Sequence, residues 1–202
     1  MEIVGSNPIG VATVAREFHA MDFHPPEELR SEIVTLRRYQ LTDHVALKAA
    51  IEASLASLRD WMPWAQEPPT DASVATFLEP AVEHFGGDSP TNYAITLRDT
   101  GLFAGGCGLM PRIGPGALEI GYWVHSAYHR RGIATESARL LTNAAFGFPA
   151  VRRVEIHCDQ GNAASAGVAR GLGYRLDRVD DSPPDSAGKT GRMMIWVTDR
   201  PV

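Results

Sequence analysis

The stretch from Leu118 to Cys158 constrains the fold of this chain more than any other. Ala117–His125 alternates like a strand, Thr135 to about Phe148 is helical, and Val151–Cys158 is strand-like again. Ala134, Ala138, Leu141, Ala145 and Phe148 share one face of that helix, and Pro149 ends it. Two strands joined through a helix run parallel and are linked by a right-handed crossover. A parallel pair is therefore expected inside the sheet, whatever surrounds it.

What surrounds it reads as antiparallel. Ile33–Tyr39 is a strand, followed by a helix from Asp43 that repeats Leu47, Ile51, Leu55, Leu58 and Met62 and stops at Pro63. Thr70-Asp71 caps a second helix carrying Val74, Phe77, Leu78, Ala81, Val82 and Phe85. Asn92–Arg98 and Leu102–Met110 form a hairpin about Asp99-Thr100-Gly101. Gly105, Gly106 and Gly108 in its second strand signal a bulge or a close backbone neighbour. Beyond Cys158 come a short helix, Ala163–Leu172, closed by Gly173, and two strands, Tyr174–Val179 and Arg192–Thr198, around a polar loop. The order β-α-α-β-β-β-α-β-α-β-β predicts an α/β (α+β) fold with a mixed, mostly antiparallel seven-stranded sheet and a central parallel βαβ unit. Residues 1–30, with Pro25-Pro26 and no sustained period, read as an N-terminal extension, and 31–202 as one domain.

Composition removes several function classes. A formal net charge of −5 gives no basic surface for phosphate backbones, so no nucleic-acid partner is expected. Apolar runs are only strand-length and the first residues lack a signal-peptide pattern, so no membrane partner is expected either. Two cysteines, Cys107 and Cys158, are too few for a disulfide framework and suggest a cytoplasmic protein. His125 and His129 lie across a loop rather than on one helical face, so no metal site is expected.

Chemistry concentrates between Glu119 and Glu136. A strand runs into the loop His129-Arg130-Arg131-Gly132, which opens a helix at Ile133-Ala134-Thr135. Free amides and the positive dipole end at a helix start make an anion site, Gly132 allows close approach, and the two arginines add charge. The loop has neither the Gly-Lys-Ser/Thr of a P-loop nor three spaced glycines, so a pyrophosphate outside those nucleotide folds is the natural guest. An ordinary helix start with two solvated arginines is the alternative.

His129-Arg130-Arg131-Gly132-Ile133-Ala134 resembles the pyrophosphate loop of the GNAT superfamily of acyl-CoA N-acyltransferases. Glu119–Val124, Leu58–Trp64, Cys158–Ser165 and Gly171–Tyr174 are similar to its RimJ/RimL branch, in the expected order between about Val34 and Val197. The resemblance implies helices on both faces of the sheet and transfer of an acetyl group from acetyl-CoA, as co-substrate, to a primary amine. The implied partner is an amine-bearing small molecule or a protein N-terminus; a homodimer is possible. It implies that His129, Arg130, Arg131, Gly132, Ile133, Ala134 and Thr135 hold the pyrophosphate. The sheet is implied to splay between strands 117–125 and 151–158 to admit the pantetheine arm. Main chain near Trp123, Val124 and His125 would pair with that arm, a bulge there aiming one N–H at the thioester. Asn162 and Ser165 would contact it too, Asn162 serving equally as a plain helix cap.

Two departures from the family stand out: His129 replaces the usual Gln or Arg, and Ala169 stands where many members carry an acidic tyrosine. Glu119 and His157 are the candidate bases, each with a structural alternative in an ion pair or on a sheet face. Trp61, Trp64 and Tyr93 are candidates to wall the acceptor pocket, or else belong to an aromatic core. A coenzyme-binding module without turnover, or a transferase using another donor such as succinyl-CoA, remain alternatives.

Overall fold

The computed structural model describes residues 23–200. Its strands are β1 (Glu28–Arg30), β2 (Val34–Arg38), β3 (Thr91–Leu97), β4 (Phe103–Met110), β5 (Ala117–Val124), β6 (Arg153–Asp159), β7 (Arg175–Asp181) and β8 (Arg192–Asp199). They form one sheet in the order β1-β2-β3-β4-β5-β6-β8-β7. Only β5 and β6 pair in parallel, as the strand–helix–strand pattern required; the other neighbours are antiparallel.

The sheet has eight strands rather than seven. Glu28–Arg30, which the sequence placed in the extension, pairs with Thr35–Arg37 of β2. Three residues are too few to show a period of two, which is why this edge strand was missed. Phe23 is buried as well, its ring 4.6 Å from that of Phe148. Residues 1–22 of the extension lie outside the described residues.

Among the described residues four helices cover the two faces: α1 (His44–Leu58), α2 (Asp71–Glu83), α3 (Ile133–Phe146) and α4 (Ala163–Gly171). Along β3, Tyr93 and Ile95 enter the large core with Ala138 and Leu141 of α3 and Ala166 and Ala169 of α4. Ala94 turns the other way, into a cluster with Leu47 of α1 and Val74, Leu78 and Ala81 of α2. β5 alternates likewise, sending Leu118, Ile120, Tyr122 and Val124 to the large core and leaving Glu119, Gly121 and Trp123 for the opposite face.

Two local details shape the site. The helix α1 ends at Leu58, well before Pro63, and Met62 is extended (φ −111°, ψ 110°), as a residue preceding proline should be. Met62 and Trp64 therefore leave the helical path. In β4 the register with β3 passes from Ile95–Gly105 to Thr96–Phe103, so Ala104 is the extra residue of a bulge. Gly105 next to it has φ +147°, and a Cβ there would collide with the Trp123 carbonyl oxygen. Both readings of this glycine-rich strand, bulge and close backbone neighbour, hold.

Candidate active site

Pairing between β5 and β6 runs from Ala117–Arg153 to Ile120–Ile156 and stops, although β5 continues to Val124 and β6 to Asp159. The parallel pair opens there into a gap. The His125 N–H donates to the Ala104 carbonyl at 2.8 Å. By strand alternation Trp123 and His125 direct their peptide groups toward β4, whereas Tyr122 and Val124 direct theirs into the gap. The bulge expected near Trp123–His125 is on β4 instead, and β5 keeps a regular register with it. Closing the bulge needs a residue without Cβ, and Gly105 supplies it.

At one end of the gap the chain turns through Ser126–Tyr128 into the basic loop. The Ser126 N–H donates to Ser54 Oγ and Ser126 Oγ to the Ala53 carbonyl, each at 3.0 Å, which docks the turn on α1. His125 Nδ1 accepts the Ala127 N–H at 3.0 Å, and His129 Nε2 donates to the Val124 carbonyl, also at 3.0 Å. Both histidine rings thus brace the loop. Arg130 (φ +61°) and Gly132 (φ +77°) are left-handed, and Gly132 is the N-cap of α3. A glycine cap has no side chain to turn back, so among the described residues the amides of Ile133, Ala134 and Thr135 keep no acceptor, while Glu136 bonds to the Gly132 carbonyl at 2.9 Å. Ile133 is buried in the core and anchors the helix start. Arg131 stacks over Tyr128, 5.3 Å to the ring centroid, and both arginines are exposed. The result is an uncapped helix end with two flanking cations, suited to a diphosphate.

Across the gap, Asn162 Oδ1 accepts the Ser165 N–H at 3.0 Å and caps α4. Ser165 Oγ lies 2.8 Å from the Tyr122 hydroxyl, so a strand phenol meets the helix there. Burial pushes the Tyr122 phenol above its ordinary range, although the Ser165 contact works the other way. Ala169, one turn further along α4, is fully buried in the core. Burial also raises the Cys158 thiol, which leaves little thiolate for nucleophilic attack.

The opposite sheet face gathers the acid–base groups. Glu119 and Glu155 are register partners in β5 and β6, and His157 lies two residues on. His157 Nε2 is 2.5 Å from Glu155 Oε2, and its Nδ1 is 3.7 Å from Glu119 Oε2. Glu155 is buried and also engages Arg153. Glu119 is held by Arg112 through two bonds of 2.8 and 2.6 Å. Since an ionised carboxylate only accepts, the His157 Nε2–H is the donor to Glu155, and Nδ1 is turned to the Glu119 carboxylate.

Beside them a cavity of about 690 Å³ opens over β4 and β5 beneath α1 and α2. Gly106, Gly108 and Gly121 form its floor, and Tyr39, Trp64, Phe77 and Trp123 wall it. A Cβ on Gly106 would come within 2.5 Å of the Tyr39 hydroxyl and 2.8 Å of Trp123 Nε1. Of the three proposed wall residues only Trp64 lines the cavity. Tyr93 faces the large core, donates to the Pro26 carbonyl at 2.7 Å and meets Phe85 edge-on, because strand alternation turns it away. Trp61, in the turn after α1, is not a cavity residue either. The sequence reading missed Tyr39, Phe77, Met110, Arg112 and Glu155. The alternate glycines 106 and 108 were the available signal, since a strand face without side chains leaves room for a ligand.

The polar loop between β7 and β8 is held by Asp159 and Asp60. Asp159 Oδ1 accepts from the Gly161 and Thr190 amides and the Thr190 hydroxyl, and Oδ2 from the Gly191 amide, at 2.8–3.2 Å. The Gly188 N–H bonds to the Asp60 carbonyl at 3.0 Å, which ties the loop to the end of α1. Among the described residues no helix is long and apolar enough to cross a membrane, and no cluster of side chains is arranged to hold a metal.

No curated protein gives a significant sequence match. Solved structures do resemble the fold. The microcin C7 self-immunity acetyltransferase MccE, in complex with acetyl-CoA and AMP, superposes with a TM-score of 0.77 at 19% identity, covering 86% of this chain and 97% of that one. RimL, a ribosomal L7/L12 alpha-N-protein acetyltransferase in complex with coenzyme A, gives 0.75 at 20% identity over 86% and 98%. A GCN5-related N-acetyltransferase from Brucella melitensis gives 0.71 at 25% identity over 89% and 83%. The family model of the acetyltransferase (GNAT) domain matches residues 34–175, from β2 to the start of β7 and so across the gap, the loop and the acid–base face, and the chain belongs to the GNAT acetyltransferases.

Proposed function

We infer that this protein transfers an acetyl group from acetyl-CoA to a primary amine by direct attack within a ternary complex. The interrupted β5–β6 pairing carries the reading, because it leads from the uncapped start of α3 to the face that holds His157. The residues present fit coenzyme A. Amides of Ile133, Ala134 and Thr135 suit the diphosphate, and the peptide groups of Tyr122 and Val124 suit an extended amide-bearing arm. His129, bonded to the Val124 carbonyl, shapes the entrance through its ring. Asn162 combines its capping role with a place beside the arm.

The bound co-substrate supplies an activated thioester. An alkylammonium must first lose a proton, and His157 is the base we assign. Glu155 holds Nε2–H, so Nδ1 is the acceptor in the neutral ring, and Glu119 at 3.7 Å from it stabilises the imidazolium that results. Glu119 itself is engaged by Arg112 and makes a poorer base. On the other side of the gap, the Tyr122 hydroxyl with its Ser165 partner takes the place of the missing tyrosine at Ala169 as proton donor to the departing thiolate.

Free-thiol release from acetyl-CoA in the presence of an amine panel, with mass spectrometry of the product, tests the reading. Coenzyme binding without thiol release would favour a binding module, the reading that Ala169 supports. Equal turnover of succinyl-CoA would move the donor class.

A further inference from the structure

The cavity that faces the acetyl-transfer site limits which amine it takes. Its walls are a run of rings: Tyr39 meets Phe77 edge-on at 5.3 Å, and Trp64 meets Trp123 at 6.2 Å with a 65° interplanar angle. Phe103, 6.1 Å from Trp123 and 6.3 Å from Tyr39, links the two pairs. Among the described residues Glu67 is the only acidic side chain in the lining, and no lysine or arginine lines the space. Neither the Glu67 carboxylate nor the Asn92 carboxamide has a hydrogen-bond or ion-pair partner among the described residues.

These features select by charge as well as by shape. A volume of this size is that of a small-molecule site rather than of a single methyl group. Aromatic faces attract an ammonium, and an unpaired carboxylate in the wall draws it in. A carboxylate or phosphate on the acceptor would lose its water with no cation to receive it, and would face Glu67 as well. A polyamine would satisfy Glu67 but leave the aromatic walls in contact with methylenes and water. Gly121 lies at the floor beneath the Met110 side chain, where β5 parts from β6, so an amine seated against the rings has its nitrogen beside the gap.

We propose that the acceptor is a primary amine carried on an aromatic or bulky aliphatic body without an anionic group; this rests on the acetyl-transfer reading above. The balance is that of amide formation. The amine nitrogen bonds to the thioester carbonyl carbon as its bond to sulfur breaks, the amine proton passes to His157, the thiolate takes one proton, and no oxidant or reductant takes part.

Two measurements on the full chain test it: calorimetric binding of each amine without donor, and thiol release with acetyl-CoA. The probes are 2-phenylethylamine, phenylalanine, spermidine and a hexapeptide with an N-terminal serine. Phenylethylamine is expected to bind and to turn over about tenfold better than the other three. Trp64→Ala, at a residue 53% exposed and so outside the folded core, should weaken phenylethylamine binding about fivefold and leave coenzyme A binding as it was. Preference for phenylalanine, spermidine or the peptide, or an unaltered Trp64→Ala variant, would overturn the inference while leaving acetyl transfer intact. Tight phenylethylamine binding with no thiol release from any amine would overturn acetyl transfer itself, and the acceptor role with it.

Discussion

His157 Nε2 lies 2.5 Å from Glu155 Oε2, so a buried carboxylate on the same strand fixes which nitrogen of the ring carries the proton. The two residues alternate on β6 and share the face opposite Val154, Ile156 and Cys158. His157→Gln should therefore lower turnover about a hundredfold while coenzyme A affinity is retained. Glu155→Gln should act in the same direction by a smaller factor. Steady-state thiol release across pH checks both.

Gly132 caps α3 at φ +77° without covering its amides. Gly132→Glu brings bulk and negative charge to those amides and should abolish coenzyme A binding in a calorimetric titration. Gly132→Asn tolerates the left-handed backbone at a cost of about 1 kcal/mol and should retain much of the affinity. Equal binding by both variants would move the diphosphate elsewhere.

Removing the Tyr122 hydroxyl tests the proton donor. Tyr122→Phe keeps the ring in the core but breaks the 2.8 Å contact with Ser165. Turnover should fall by about tenfold with normal thioesters, and less with a donor whose thiol is more acidic, because such a leaving group needs no proton. An equal loss with both donors would assign Tyr122 a packing role.

Filling the floor of the cavity separates acceptor from donor. Gly106→Val directs a side chain at the Tyr39 hydroxyl and Trp123 Nε1, which displaces the wall. The amine KM should rise about tenfold while coenzyme A titrates as in the parent protein.

Asp159 makes stability depend on acid. Burial works to raise its carboxyl, but the bonds from Thr190, Gly161 and Gly191 outweigh it and hold the pKa below 3.8. The stabilisation is complete above about pH 4, near the unfolded-state value, and is lost as pH falls through the folded-state value. Asp159→Asn should lower Tm by about 5 °C at pH 7 and flatten the dependence of Tm on pH below 4. Thermal melts between pH 3 and 7 check it.

The linear pattern was enough for the parallel pair, the flanking helices, the bulge-prone β4 and the basic loop. Each of these is a local matter: periodicity, proline stops, glycine freedom and helix ends act within a few residues of chain. Alternation alone likewise puts Glu119, Gly121 and Trp123 on one face.

Which groups meet across strands and helices was decided by the tertiary structure. Arg112 claims Glu119, Glu155 claims one nitrogen of His157, and Tyr122 reaches Ser165 from 43 residues away in sequence. Tyr93 turned into the core by its place in β3, and Tyr39, just past the end of β2, turned into the cavity; side-chain type determined neither. Such pairings depend on where one element stops relative to another, as β5 and β6 do after Ile120, and one-dimensional order carries little of that information.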